Sequence, residues 1–183
     1  MVAGDNVEPD LLGEVSALAH PPRVIGVFRR DDLPHRAPPN VGLALWRVGD
    51  PGNVGTLIRT ADALGPAFVA LSEGCADPTG PKALRASMGA LFRVRLTSFA
   101  EAPGRRVALV SHGGVALEDA DLEEPLMFLL GAEREGLPEE VLAQCDERAT
   151  IPVAPGAESL NVAMAGTIAL YELARRRSRA RSR

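Results

Sequence analysis

Short, continuous runs of apolar residues alternate with segments of helical spacing along most of this sequence. Each run is short enough for a strand, and each is apolar at successive positions rather than at every second one. Strands have this pattern when both faces of their sheet are buried, as in a parallel sheet covered by helices. The predicted strands are Val24–Phe28, Val41–Trp46, Ala67–Leu71, Arg106–Val110, Leu126–Leu130 and Ala149–Val153.

Four further segments have the spacing or the terminal residues of helices. Asn53–Leu64 carries one apolar stripe, Pro81–Met88 and Pro138–Gln144 begin with proline, and Leu160–Arg177 is the long last segment. Proline suits the first turn of a helix, where no intrahelical partner is lost. Strands that alternate with helices predict an α/β fold in which a parallel sheet is flanked by helices.

The composition excludes several classes of protein. The 183 residues are 46% hydrophobic, which suffices for one domain with a core, but only 4% aromatic. So few rings cannot form the stacking platform that binds single-stranded nucleic acid. No apolar run approaches the roughly 20 residues of a membrane span, and Met1–Pro9 has no signal-peptide core. The two cysteines and three histidines show no ligand spacing, so we expect no metal site and a cytoplasmic location.

Charge is unevenly distributed along the chain. The net charge of −4 at pH 7 argues by itself against a nucleic-acid partner. However, residues 175–183 contain six arginines and no acid, while the preceding 174 residues carry 14 basic and 24 acidic side chains. A basic tail on an acidic body is typical of a protein that contacts a polyanion locally. Alternatively, these arginines form the solvated end of a helix.

Ligands of open α/β sheets bind beyond the carboxyl ends of the strands, so the residues after each strand are the candidate site. No G-x-G-x-x-G and no G-x-x-x-x-G-K-[ST] follows a predicted strand, which disfavours an ordinary dinucleotide fold and a P-loop hydrolase. Three other segments follow strands. They are Asn53-Val-Gly55-Thr-Leu-Ile-Arg59, Gly131-Ala-Glu133-Arg-Glu-Gly136-Leu-Pro138 and Ser159-Leu160-Asn161-Val162-Ala163-Met164-Ala165.

The first two segments each allow a structural and a functional interpretation. Asn53 is a good helix N-cap, and Arg59 is either a surface arginine or a functional cation inside an apolar stretch. Gly131 and Gly136 permit tight turns and close approach to a ligand. Glu133 between them is either a solvated acid or a functional carboxylate at a strand end.

In the third segment, Ser159 is a predicted N-cap of the last helix, which would place Asn161 in the first turn. Together and in this order, the three segments resemble motifs one, two and three of the SpoU (TrmH-like) branch of the SPOUT methyltransferases. Pro81-Lys-Ala-Leu-Arg85-Ala-Ser87-Met-Gly89-Ala is similar to the segment after the family's second strand. The resemblance covers about residues 41–175.

The resemblance implies a SPOUT-type sheet whose C-terminal part forms a deep trefoil knot. In that family the knot loops bind S-adenosylmethionine in a bent shape, which implies the same cofactor here and no metal. The cofactor-binding positions that it implies are Ser111, Gly131, Glu133, Gly136, Ile151, Ser159 and Leu160.

The implied reaction transfers a methyl group to a ribose 2′-hydroxyl of tRNA or rRNA. The implied catalytic residues are Asn53, Arg59, Glu133, Ser159 and Asn161. We expect Arg59 to clamp a neighbouring phosphate or the nascent alkoxide, because an arginine pKa above about 12 leaves almost no neutral form to act as a base. Together with Arg59, Lys82 and Arg85 are expected to bind substrate RNA.

The resemblance also implies a homodimer with its sites at the interface. The helix Asn53–Leu64 and the C-terminal helix are the expected contact elements, although the apolar face of the latter could equally cover its own sheet. Residues 1–40 resemble the remnant of an N-terminal substrate-binding domain with a linker. The expected methyltransferase domain is 41–178, and 179–183 form a basic tail.

Two other functions stay open at this point. One is a SPOUT methyltransferase that modifies a base nitrogen, and the other is a catalytically silent RNA-binding dimer. The joint presence of the five implied catalytic residues favours an active enzyme over the silent dimer.

Overall fold

The structure is a computed structural model that describes residues 2–3, 7, 9–16, 24–35 and 37–181. The chain divides into two compact units, Met1–Leu33 and Pro34–Arg183.

The first unit is small. Its elements are β1 (Val2–Ala3), α1 (Pro9–Val15), β2 (Ile25–Gly26) and a 3₁₀ turn (Arg30–Asp32), and β1 pairs with β2 in the antiparallel sense. The strand predicted over Val24–Phe28 is therefore limited to two residues. A run of two paired residues is too short to produce a reliable periodicity.

The second unit is built on a seven-stranded sheet in which every neighbouring pair is parallel. Its strands are β3 (Val41–Leu45), β4 (Phe68–Leu71), β5 (Leu96–Ser98), β6 (Arg105–Leu109), β7 (Val115–Ala116), β8 (Leu126–Leu130) and β9 (Glu147–Thr150). Their spatial order is β5-β4-β3-β8-β6-β9-β7. The central strands β3 and β8 are buried at every residue, as their continuous apolar runs predicted.

Helices connect and cover these strands. They are α2 (Pro51–Leu64), α3 (Pro81–Ser87), α4 (Glu139–Leu142) and α5 (Val162–Arg181), with a 3₁₀ turn at Ala90–Phe92. The predicted α/β fold, a parallel sheet flanked by helices, is confirmed.

Two edge strands were missed and one strand was displaced. β5 and β7 have three and two residues, which is too short for a distinctive pattern. β9 lies at 147–150 rather than 149–153 because its first residues, Glu147 and Arg148, are polar and pair with Arg105 and Glu139. Ile151 consequently lies just beyond the carboxyl end of the strand.

α2 begins at Pro51 because Asp50 caps it. The Asp50 side chain accepts a hydrogen bond from the backbone N–H of Asn53 at 3.0 Å, and proline occupies the first helical position. An aspartate directly before a proline is a strong start signal for a helix. The prediction that Asn53 is the N-cap was therefore wrong, since Asn53 lies inside the first turn and its side chain is used elsewhere.

α5 begins two residues later than predicted, at Val162. The Oδ1 atom of Asn161 accepts hydrogen bonds from the backbone N–H groups of Ala163 at 2.9 Å and Met164 at 3.3 Å. Asn161 is therefore the cap, and the prediction that Ser159 has this role was wrong. Most of the apolar face expected on this helix covers the molecule's own core, and Ile168 is its exposed member.

α2 packs closely against α3 on one side and α5 on the other. A Cβ atom at Gly55 would overlap the carbonyl oxygen of Ala83, and one at Gly166 would overlap the side chain of Leu57. At Gly55 the neighbouring atom belongs to the backbone, so only glycine permits that approach. The two contacts fix the direction of α2 from both sides, and its N-terminus then lies at the carboxyl end of β3.

Three of the six terminal arginines support the fold. Arg175 and Arg176 both donate to the buried carboxylate of Glu172, at 2.8 and 2.9 Å. Arg176 also donates to two backbone carbonyls after β7, and Arg177 donates to Glu124 at 2.6 Å. This half of the basic segment therefore binds the acidic body of its own chain, and the helix continues to Arg181.

Protonation of Glu172 should make the free energy of unfolding depend on pH in the acidic range. The hydrogen bond from Arg175 is the main reason that its pKa falls to about 2; burial opposes the shift and Arg176 adds to it. A carboxyl with a lowered pKa stabilises the fold above the unfolded value near 4.5, and this contribution is lost as the pH falls toward 2. We expect Glu172→Gln to lower the free energy of unfolding by about 1–2 kcal/mol at pH 7.

Urea unfolding of the wild type and of Glu172→Gln between pH 7 and 2 measures this effect, with a variant of the exposed Glu73, Glu73→Gln, as control. The wild type should lose more stability than Glu172→Gln on acidification. Parallel curves for the two proteins would contradict the role assigned to this carboxylate.

Candidate active site

A cavity of about 550 Å³ lies at the carboxyl ends of β6, β8 and β9. Its walls are the residues that follow these strands, together with the start of α5. The volume is within the range of sites that bind small molecules and cofactors. The position is the one expected for a ligand of an open parallel sheet.

All the residues that the sequence analysis assigned to a cofactor line this cavity. They are Ser111, Gly131, Glu133, Gly136, Ile151, Ser159 and Leu160. The fold thus gathers loops that are up to 49 positions apart in the chain. Further lining residues that the sequence analysis did not single out include the charged side chains Arg134, Glu135, Arg148 and Glu158.

The loop after β8 is a tight turn that depends on glycine at both ends. A Cβ atom at Gly131 would overlap the backbone of Gly136 and Leu137. Gly136 has a φ of +68°, and its N–H donates to the carbonyl of Ala132 at 2.9 Å. These two glycines close the turn, and Glu133 lies within it.

Glu133 connects this turn to the loop after β3. Its Oε1 atom accepts hydrogen bonds from the side-chain amide of Asn53 at 2.9 Å and from the backbone N–H of Asp50 at 3.2 Å. Its Oε2 atom accepts from the N–H of Gly49 at 3.3 Å. Burial raises the pKa of Glu133, but these hydrogen bonds outweigh it and hold the pKa below the ordinary value. Glu133 is therefore an ionised acceptor that positions the loops.

Asn161 adds the third loop to the same network. Its Nδ2 atom donates to the Oδ1 atom of Asn53 at 3.2 Å, while its own oxygen caps α5. Asn53 uses both ends of its amide, because it donates to Glu133 and accepts from Asn161. The three segments singled out in the sequence meet in one chain of hydrogen bonds.

Asp50 is a member of the network that the sequence analysis treated only as part of a turn. Besides capping α2, it accepts an ionic hydrogen bond from Lys82 at 2.9 Å, and this bond is the main cause of its lowered pKa. The Asp-Pro dipeptide at a helix start was the signal available for this role. Lys82 is 61% exposed in the pair, and exposed pairs contribute less than about 1 kcal/mol, so an anion can compete for Lys82.

Arg59 does not line the cavity. It is exposed on α2 and makes no hydrogen bond or ion pair with another described residue. It lies six residues beyond Asn53, about 9 Å along the helix axis and on a different face. Within one chain, therefore, the structure brings Asn53, Glu133 and Asn161 together, with Ser159 on the cavity wall, but leaves Arg59 apart from them.

Two further arginines, Arg85 and Arg93, have different environments. Arg85 is exposed on α3, one turn beyond Lys82, and has no partner among the described side chains. Arg93 instead forms a bidentate ion pair with Asp62 of α2. Arg93 is therefore part of the packing between α2 and the segment after α3.

Two kinds of site are absent from the part of the chain that the structure describes. No group of three or more histidine, cysteine, aspartate or glutamate side chains could hold a metal ion there. No helix among these residues is long and apolar enough to cross a membrane.

The family model described as the SpoU rRNA Methylase family matches residues 40–171, well over half of the chain. The chain belongs to the SpoU rRNA methylase family. The family assignment made from the three sequence motifs is confirmed, and the match contains every residue of the hydrogen-bonded network.

This SpoU chain is similar to proteins of known structure and named activity. The 23S rRNA (uridine(2479)-2'-O)-methyltransferase of Streptomyces viridochromogenes is 37% identical over 190 residues, which cover 92% of this chain and 66% of that protein. The SpoU methyltransferase AviRb from Streptomyces viridochromogenes, crystallised with the cofactor AdoMet, has a TM-score of 0.77 at 33% identity and covers 93% of this chain and 72% of its own.

A second solved structure shows the same likeness. The AdoMet-bound rRNA methyltransferase from Sinorhizobium meliloti has a TM-score of 0.78 at 32% identity, and the match covers 93% of this chain and 70% of that one. The SpoU chain spans only 66% of the length of two curated relatives and 48% of a mycobacterial one.

Removal of the Glu133 carboxylate should release the loop after β3. In Glu133→Ala, the N–H groups of Gly49 and Asp50 lose their acceptor, so we expect their hydrogen exchange to accelerate at least about tenfold. Glu135→Ala is the matched control, because it removes an exposed glutamate of the same turn that has no partner among the described residues. Exchange measured by NMR at these two amides should be unchanged in the control; unchanged exchange in Glu133→Ala would disprove the connection.

Proposed function

We propose that this SpoU chain is an RNA methyltransferase that transfers a methyl group from S-adenosylmethionine to a ribose 2′-hydroxyl of tRNA or rRNA. The observation that carries the proposal is the single cavity bounded by the loops after β6, β8 and β9, whose walls contain all seven positions assigned to the cofactor. The choice of the ribose hydroxyl is supported by the named 2′-O activity of the Streptomyces viridochromogenes relative.

The residues present fit S-adenosylmethionine in size and charge. The cavity of about 550 Å³ suits a ligand of nucleoside size, and Leu137 and Leu160 offer apolar surface for a ring. The lining also carries carboxylates, such as Glu158, and guanidinium groups, such as Arg134. Such a mixed lining suits a ligand that has both cationic groups and a carboxylate. The cofactor supplies an already electrophilic sulfonium methyl group.

The chain's own residues then have to hold the two reactants in line and stabilise negative charge on the ribose oxygen. In our proposal, Glu133 and Asn53 fix the loops, and Ser159 and Asn161 orient the ribose or the catalytic arginine. Arg59 clamps a neighbouring phosphate or the nascent alkoxide. It does not take the proton, because a guanidinium is charged at any pH the enzyme meets.

Because Arg59 does not line the cavity of its own chain, we propose a homodimer in which the partner chain supplies it. α5 exposes an apolar stripe at helical spacing, with Met164 62%, Ile168 37% and Tyr171 59% accessible. Exposed apolar stripes of this kind mark interaction surfaces. Thr60 hydrogen-bonds Thr167 at 3.1 Å, so the stripe adjoins the helix that carries Arg59. In a two-fold pair, each chain would contribute Arg59 to the cavity of the other.

We also propose that the C-terminal part of the sheet forms the trefoil knot of the family. The chain leaves β9, which is two places from β8 in the sheet, and returns in α5 to pack against α2 and β8. Residues of the connection over 151–161 and of the turn after β8 line the same cavity, which supports a close passage of one past the other. In the proposed knot, residues 151–161 pass through the loop of chain that contains the turn after β8.

We propose the following division of the chain. Residues 1–40 correspond to part of a substrate-binding domain and a linker, 41–178 to the methyltransferase domain, and 179–183 to a basic tail. The family match over 40–171 and the boundary between the two compact units at 33/34 support this division.

The position of the transferred methyl group tests the reaction. The chain should be incubated with methyl-labelled S-adenosylmethionine and with total tRNA and rRNA from cells that lack the gene. Because a 2′-O-methyl group blocks cleavage of the adjacent phosphodiester by alkali, we expect the label in alkali-resistant dinucleotides. Label in mononucleotides would point to a base-nitrogen methyltransferase, and absence of transfer despite cofactor binding would point to the silent dimer.

Replacement of Arg59 tests the shared site. We expect Arg59→Ala to lower kcat by at least about a hundredfold and to leave the affinity for S-adenosylmethionine nearly unchanged. If Arg59 acts in the partner's site, hybrids of Arg59→Ala with Asn161→Ala should contain one intact site per heterodimer. An equal mixture after subunit exchange should then regain up to about a quarter of wild-type activity. Near-normal turnover of Arg59→Ala alone would refute its role, and a mixture as inactive as its components would refute the shared site.

A further inference from the structure

Arg47, which lies two residues beyond the end of β3, adopts a left-handed backbone conformation that residues other than glycine rarely adopt. Its φ is +52°, and only one other non-glycine residue in the described chain, Met88, has a positive φ. For a residue with a Cβ atom, this conformation has a higher free energy than the right-handed one. The conformation therefore persists only where contacts with the surrounding structure stabilise it. Here the backbone N–H of Arg47 donates to the Oγ atom of Ser72 at 2.9 Å. The fold thus maintains an arginine at a position that would suit glycine better.

The side chain of Arg47 has a defined place and no internal partner. It extends across the loop after β4, because a Cβ atom at Gly74 would lie 3.3 Å from its Nε atom and 3.4 Å from its Cγ atom. Glycine at 74 leaves room for this path. The residue is exposed, and its guanidinium makes no hydrogen bond or ion pair with another described residue. The strain at Arg47 is therefore not compensated by an ion pair within the described chain.

Arg47 lies at the edge of the hydrogen-bonded network. Two and three residues further on, the N–H groups of Gly49 and Asp50 donate to Glu133. The guanidinium therefore belongs to the same short loop that positions the start of α2. It is at the carboxyl end of the sheet, where a substrate has to approach.

Charge distinguishes the two halves of the sheet. Residues 41–100, which form β3 to β5 with α2 and α3, carry six basic and four acidic side chains. Residues 101–177, which form β6 to β9, α4 and most of α5, carry seven basic and 14 acidic ones, and Arg175, Arg176 and Arg177 are paired with acidic side chains of this half. A polyanion is repelled from the second half and can approach over the first. Arg47, Arg59, Lys82 and Arg85 all belong to the first half.

We propose that Arg47 binds a backbone phosphate of the substrate RNA and so positions the strand over the β3 side of the cavity. This inference rests on the proposed function, because it requires an RNA substrate. It explains why an exposed arginine occupies a left-handed position without an internal partner. The left-handed backbone and the contact with Gly74 direct the side chain along one path, which reduces the freedom that it would lose on binding.

Binding of a fluorescein-labelled RNA stem–loop of arbitrary sequence tests the inference, because phosphate contacts do not depend on sequence. Fluorescence anisotropy should be measured between about 50 and 200 mM salt for the wild type, Arg47→Gly, Arg47→Lys and Arg106→Ala. Arg106 is the matched control, since it lies on β6 in the acidic half and donates to Gln144. Its replacement makes the same change in net charge.

We expect Arg47→Gly to weaken RNA binding about threefold to tenfold and to reduce the slope of log affinity against log salt by about one. Its melting temperature should equal or exceed that of the wild type, because glycine relaxes the positive φ. Arg47→Lys should retain most of the slope, and Arg106→Ala should bind as the wild type does.

Three results would overturn the inference, and they are distinguishable from failure of the proposed function. Unchanged affinity and slope in Arg47→Gly would exclude a phosphate contact. Equal losses in Arg47→Gly and Arg106→Ala would attribute the effect to net charge, and a slope as low in Arg47→Lys as in Arg47→Gly would exclude a role of the positive charge. If the wild type itself bound no RNA, the proposed function would fail as well.

Discussion

The Glu133 carboxylate is the point on which the site depends. It accepts hydrogen bonds from the backbone at Gly49 and Asp50 and from the amide of Asn53, and Asn53 in turn accepts from Asn161. These groups belong to three segments, which follow β3, β8 and β9, and such connecting segments are mobile unless other contacts hold them. One ionised carboxylate with several donors gives them a common geometry. The pKa of Glu133 is lowered although burial opposes the shift, so the carboxylate stays charged and the network stays closed at neutral pH.

The structure of one chain explains the proposed binding of the cofactor better than it explains the proposed binding of the RNA substrate. The cavity is lined by loops of one chain, and its glycine turn, apolar surface and mixed charges suit the proposed methyl donor. The groups expected to bind RNA point outward instead. Arg59 and Arg47 have no partner among the described residues, and α5 presents an apolar stripe. This distribution agrees with a site that is completed by a second chain and by the RNA itself.

The sequence predicted the sheet well because buried parallel strands are continuous apolar runs, and β8 was predicted to the residue. It failed where a strand depends on long-range partners or is very short. The polar start of β9 is stabilised by Arg105 and Glu139, and β5 and β7 are too short to have a period. The same holds for the site. Motif order identified Asn53, Glu133 and Asn161, but the bonds between them join residues about 80 and 108 positions apart, and a helical pattern cannot show that Arg59 lies outside the cavity. The left-handed backbone at Arg47 has no local sequence signal, because arginine is not a residue typical of that conformation.

The central claim is that three loops act as one unit through Glu133 and Asn161. Calorimetric titration of S-adenosylmethionine into the wild type, Glu133→Ala, Asn161→Ala and the double variant tests it most directly. We predict one site per chain in the wild type, weaker binding in each single variant, and a loss in the double variant clearly smaller than the sum of the two single losses. Strictly additive losses, or a wild type that does not bind S-adenosylmethionine, would contradict the account.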